Sequence, residues 1–129
     1  MAEPALPLTG GCGCGAVRYE VSEPFVSASY CHCTRCQRRT GTAASANGRT
    51  APGAFRITSG EEHVGTWAPE GGAAVFSRME GDPPTIGVRL GTVDGDPGIR
   101  PQWHQYVAYA ASWEQIPDDG LPRYPEGKT

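Results

Sequence analysis

The chain has 129 residues, 38% of them hydrophobic, with 18 glycines and 12 prolines, which suits one turn-rich domain with a core of its own. A formal net charge of −3 gives no general pull toward nucleic acid or an anionic membrane. Lys128 is the only lysine among eleven basic residues, so lysine Schiff-base chemistry has almost no candidate.

The opening "MAEPALPLTGG" lacks the basic and apolar regions of a secretory signal, and no run approaches the length of a membrane span. The expectation is a cytoplasmic protein with reduced thiols; five cysteines, an odd number, also argue against a disulfide framework. Residues 1–10 and 122–129 are expected to be loose ends. In "GGCGCG", Cys12 and Cys14 are separated and flanked by glycines, which let the backbone turn tightly enough for two thiolates to converge. "AVRYEV" alternates Val17, Tyr19 and Val21 with Arg18 and Glu20, a strand pattern. "YCHCTRCQRRTG" then carries Cys31, Cys33 and Cys36, with one helical turn predicted at "TRCQRR", Thr34 as its cap and Gly41 near its end. "FRIT" (Phe55, Ile57), "TIGVRL" (Ile86, Val88 and Leu90 against Gly87 and Arg89) and "QYVAYAAS" (Val107, Tyr109, Ala111) are further predicted strands. Between them, "SGEE", "APEGG", "EGDPP" and "VDGDPG" are turns. No window has an apolar stripe at helical spacing, and there is no internal repeat. The predicted class is mainly β with little helix, in a single domain over 1–129.

Clustered cysteines in a reducing compartment point to a metal or to thiol chemistry. Zinc accepts thiolate without redox change, and iron–sulfur chemistry is the alternative. The bland reading, buried cysteines acting as small hydrophobes, does not account for the clustering. Two arrangements fit the spacing. Cys12, Cys14, Cys33 and Cys36 can close one four-thiolate structural site; or Cys31, Cys33 and Cys36 form a three-ligand site with an open position, the mark of catalytic zinc.

"GCGCGAVRYEV" and "YCHCTRCQRRTG" resemble the two cysteine motifs of the glutathione-dependent formaldehyde-activating enzyme family, which includes the CENP-V proteins. "FRITSG", "GTVDGDPGIRPQWHQYV", Trp113 and "LPRY" follow in that family's order, so the resemblance spans about residues 10–125. It implies a β-tent fold of packed antiparallel sheets, and two zinc sites. It assigns Cys31, Cys33 and Cys36 to the catalytic zinc, and Cys12 and Cys14 plus a later F-C-x-x-C-G to the structural one. Here that later motif is "FSRMEG", with Ser77 and Glu80 in place of the cysteines. Glu80 can still offer a carboxylate oxygen, but such a site is weaker and harder than four thiolates. The expectation is therefore one zinc per chain and a degenerate second site.

The resemblance further implies a carbon–sulfur lyase-like activity, adding glutathione or another small thiol to formaldehyde or a related carbonyl, or cleaving such adducts. Three thiolates blunt the Lewis acidity of zinc, which suits thiol activation better than water activation. The rival readings are a non-catalytic zinc module, favoured by the lost cysteine pair, and a C-x-x-C redox protein at Cys33 and Cys36, whose usual βαβ setting is missing. Arg38 and Arg39 are candidates for holding a carboxylate of the thiol; Arg35 is assigned to a solvated helical turn. His32, between two ligands, is expected to point away from the metal. His104 is assigned to packing, His63 to the surface, and Asp94 to shaping a turn.

Overall fold

The computed structural model describes residues 6–13, 15–63, 76–81 and 84–127. Among the described residues, eight strands form two sheets: β1 (Leu8–Gly11), β2 (Arg18–Val21), β3 (Ser27–Cys31), β4 (Ser45–Arg49), β5 (Phe55–Ser59), β6 (Phe76–Gly81), β7 (Pro84–Arg89) and β8 (His104–Gln105). The smaller sheet has the order β1-β2-β5 and the larger β6-β7-β4-β3-β8. All pairings are antiparallel except β3 with β8. The one α-helix among the described residues, α1 (Thr34–Thr40), follows β3, and short 3-10 turns occupy Glu61–His63, Leu90–Thr92 and Val107–Tyr109. The mainly β class with little helix is as the sequence predicts.

The core takes side chains from both sheets. Leu8, Tyr19 and Val21 of the smaller sheet meet Phe76, Ile86 and Val88 of the larger, with Phe25, Ala54 and Val93 from the connections. Phe55 of β5 joins them: its ring lies 5.2 Å from Tyr19 and 4.7 Å from Phe76, so aromatic contacts cross between the sheets. The alternation expected in "AVRYEV" holds, with Val17, Tyr19 and Val21 all buried. In β7, Ile86 and Val88 face the core, and Leu90 leaves the strand for the 3-10 turn.

Three expectations need correction. Residues 1–10 are not wholly a loose end, because Leu8–Gly11 pairs along β2 and Leu8 is buried. Residues 122–127 are not loose either. His104 donates its amide to Pro122 O, Tyr124 donates to His104 O and Tyr106 donates to Glu126 O, so the tail runs beside β8. Of "QYVAYAAS" only Gln105 is in a strand, as the last residue of β8: Tyr106 has φ 58°, in the left-handed region, which ends β8 and sends the chain into the 3-10 turn.

Candidate metal centre and its cleft

The central strand β4, "SANGR", carries residues that are poor strand formers. It is a strand because it pairs on both sides, with β3 (Cys31↔Ser45, Ser29↔Asn47) and with β7 (Asn47↔Arg89). Its two faces do different work. Gly48 lies against Phe25 and Leu90, where a Cβ would come within 2.9 Å of the Phe25 ring. Ser45, Asn47 and Arg49 turn the other way, alongside Cys31 of β3 and Arg89 of β7.

Cys31 ends β3, and Cys33 and Cys36 belong to the turn that starts α1. The helix cap is Cys33, not Thr34: its sulfur accepts the Cys36 amide at 3.4 Å. Gly41 closes the helix at φ 67°, its amide donating to Gln37 O, as the sequence predicts. The three sulfurs lie within 4.8 Å of one another, with Cys31 and Cys33 3.5 Å apart. Sulfurs tetrahedrally placed about zinc sit about 3.8 Å apart for bonds of ~2.3 Å, so the three residues fit the ion in number, type and spacing. Their proton preferences are split. Cys33 is pushed down, as it accepts from Cys31, from Cys36 and from backbone amides at the helix start. Cys31 is pushed up by sharing its proton with Cys33 and Cys36 and by burial.

The residues between and behind the cysteines are held firmly. His32 is buried, pointing inward rather than to solvent. Its Nδ1 lies 2.7 Å from Glu114 Oε1 and its Nε2 2.9 Å from His104 Nδ1, and His104 Nε2 lies 2.8 Å from Asp119 Oδ2. These contacts link Glu114, His32, His104 and Asp119 into one polar ladder behind the cysteines. Asp119 is held below the usual carboxylate range by His104. Gln37 of α1 completes the frame, donating to His32 O at 2.8 Å and Tyr109 O at 3.0 Å.

Cys31 and Cys36 open on a cleft of about 610 Å³ whose lining includes Arg49, Arg89, Asn47, Gln102 and Trp103, and no carboxylate among the described residues. Arg89 is buried, and that burial lowers its pKa while the thiols of the cluster raise it. The sequence reading missed Arg49 and Arg89 as cleft residues. The signal was in the pattern: Arg89 alternates with core residues in "TIGVRL", and Arg49 closes the polar series Ser45, Asn47, Arg49. Arg38 is exposed on α1 and Arg39 half-buried, and neither lines this cleft. Arg39 is near enough to Arg89 for the two cations to repel.

The other predicted ligands are not brought into this cluster. Cys12 lies in a tight turn against the core, its sulfur accepting the Val17 amide at 3.2 Å. Cys14, the side chains of Ser77 and Glu80, and that of His63 lie outside the described residues. Asp94 does more than shape a turn, since it accepts from Thr9 Oγ1 at 2.8 Å and pairs with Arg18, tying its loop to the smaller sheet. No disulfide joins the described cysteines, and no described helix is long and apolar enough to cross a membrane.

Comparison with known proteins agrees with this construction. Residues 7–109 match the sequence model of a family described as glutathione-dependent formaldehyde-activating enzyme, and the chain belongs to that family. Among solved structures it is similar to a Rhodobacter sphaeroides protein, 21% identical, with 90% of this chain and 98% of that one covered and a TM-score of 0.51. At that identity the likeness carries the fold alone. No curated protein matches.

Proposed function

We propose that this member of the glutathione-dependent formaldehyde-activating enzyme family adds a small thiol, such as glutathione, to formaldehyde or a related carbonyl, or cleaves the adduct. The observation that supports this reading is the convergence of three sulfurs, of which those of Cys31 and Cys36 line a cleft shared with Arg49 and Arg89. Cys31, Cys33 and Cys36 would hold one zinc per chain. What zinc supplies there is a lowered pKa for a thiol at its fourth position. Three anionic sulfurs suit that task better than water activation, and the reduced cysteines suit a cytoplasmic setting.

The chain's own residues bind and orient. Formaldehyde needs only a small part of a 610 Å³ space, so the cleft is there for the thiol. Arg49 and Arg89 favour a thiol that carries carboxylates, since guanidinium pairs with carboxylate in a fork. Trp103 offers a flat wall. In the reaction the thiol sulfur bonds to the carbonyl carbon, the carbon–oxygen π pair moves to oxygen, and the proton given up by the thiol ends there. Cleavage is the reverse.

The test is exchange NMR of the S-hydroxymethyl adduct in mixtures of formaldehyde and glutathione. The zinc-loaded chain should speed its formation and breakdown above the spontaneous rate, and Cys31→Ser should not. Equal rates with and without the chain would favour the rival reading, a zinc module without catalysis, to which the loss of the second cysteine pair already points.

A further inference from the structure

His32 stands between two of the three cysteines and carries no sulfur, yet it is held at every polar group. Its amide donates to Gln105 O at 3.0 Å, as the amide of Tyr30 donates to Trp103 O at 2.9 Å. The pairing along β8 thus runs one residue past Cys31. The His32 carbonyl accepts from Gln37 Nε2 at 2.8 Å. Its ring nitrogens meet Glu114 Oε1 at 2.7 Å and His104 Nδ1 at 2.9 Å. Backbone and ring together offer four hydrogen-bonding groups, and each has a partner.

This bears on the sulfurs through the chain itself. In extended backbone, successive side chains leave on opposite sides. With the His32 ring fixed on the buried side, at 1% exposure, Cys31 and Cys33 are turned to the other, where their sulfurs lie 3.5 Å apart.

Two of the ties come from one stretch near the C-terminus. The Glu114 amide donates to Ala111 O at 3.0 Å, a turn that aims its carboxylate, 12% exposed, at the His32 ring. Gln37, the residue after Cys36, also donates to Tyr109 O at 3.0 Å. Residues 109–114 therefore grip the cysteine loop at the His32 ring and, through Gln37, at its backbone. Glu114 lies beyond residues 7–109, where the family model matches.

We propose that Glu114 is a positioning residue for the three-cysteine centre, holding the His32 ring and so the directions of Cys31 and Cys33, and that it slows loss of the metal. The inference rests on the reading of the three cysteines as a zinc site. A metal leaves such a site one sulfur at a time. A sulfur on a fixed backbone stays within reach and rebinds, whereas one on a loosened loop swings away.

Release of zinc from the loaded chain into excess EDTA measures the effect. Glu114→Ala should release zinc about tenfold faster than the parent. Glu114→Gln, which keeps a hydrogen-bonding group at the same reach, should stay close to the parental rate. Gly10→Ala strains the smaller sheet away from the ladder, and should leave the rate unchanged although the fold is weaker. Should Glu114→Ala fail to fold, Glu114→Asp, one methylene short of the ring, should show the faster release instead. A parental rate in the alanine and aspartate variants overturns the proposal, as does an equal acceleration in Glu114→Gln or in Gly10→Ala. A parent chain that takes up no zinc overturns the metal reading and the proposal with it, whereas tight uptake with unaltered release from Glu114→Ala overturns the proposal alone.

Discussion

The three cysteines of the cluster and the two arginines of the cleft were unequally legible. C-x-C-x-x-C spacing marks three sulfurs that one ion can reach, but it left a second grouping with Cys12 and Cys14 open, and the family resemblance was needed to single out Cys31, Cys33 and Cys36. Arg49 and Arg89 show only as polar positions in their strands, and that they share one cleft comes from the pairing of β4 with β7, 40 residues apart. Two predictions belong here. Elemental analysis should find one zinc per chain, lost in Cys31→Ser and kept in Cys12→Ser; the opposite pattern would place the metal with the glycine-rich turn. Arg49→Ala should weaken binding of glutathione several-fold, as measured by calorimetry, and leave 2-mercaptoethanol unaffected, because only the former has carboxylates to pair.

At the scale of elements, the strands that carry the core showed themselves and those that carry the site did not. "AVRYEV" and "TIGVRL" alternate apolar residues because one face packs inside. β4 shows no such pattern, as its inward side has Gly48 against Phe25 and Leu90 and the other is polar toward the cleft. The "QYVAYAAS" segment misled for the converse reason: apolar residues alternate there, but Tyr106 in the left-handed region breaks the strand. His32 and His104 were individually unremarkable, and only folding sets them in one ladder. His104→Ala should cost about 1–3 kcal/mol in denaturant unfolding, since it strips partners from both His32 and Asp119. A loss below a few tenths would mean the ladder adds nothing to the frame behind the cysteines. Gly10 is a second element-level constraint. A Cβ there would collide with Thr92 O and the Tyr19 hydroxyl, so Gly10→Ala should lower the melting temperature by shifting β1 off β2.

For the molecule as a whole, the two sheets meet through one core, and the face of the larger sheet that turns from that core forms the cleft floor. Tyr19 probes the core. Burial pushes its phenol up to about 12 from 10, and its hydroxyl lies 2.7 Å from Thr92 Oγ1. A raised folded value means the neutral form is favoured on folding, so its contribution is intact below pH 10 and lost as pH rises from 10 through 12. Tyr19→Phe should flatten the fall in stability over that window; an unchanged slope would show that the phenol titrates alike in both states.

The central claim is that three cysteines leave a fourth ligand position for a thiol at the end of this cleft. Cobalt-loaded protein titrated with glutathione tests it most directly, because the visible spectrum counts thiolates. The account predicts a three-sulfur spectrum that moves to the four-sulfur form on adding glutathione, with Arg49→Ala requiring more of it. A spectrum already of the four-sulfur form before any thiol is added, and unresponsive to it, would contradict the account and show a site closed by the protein itself.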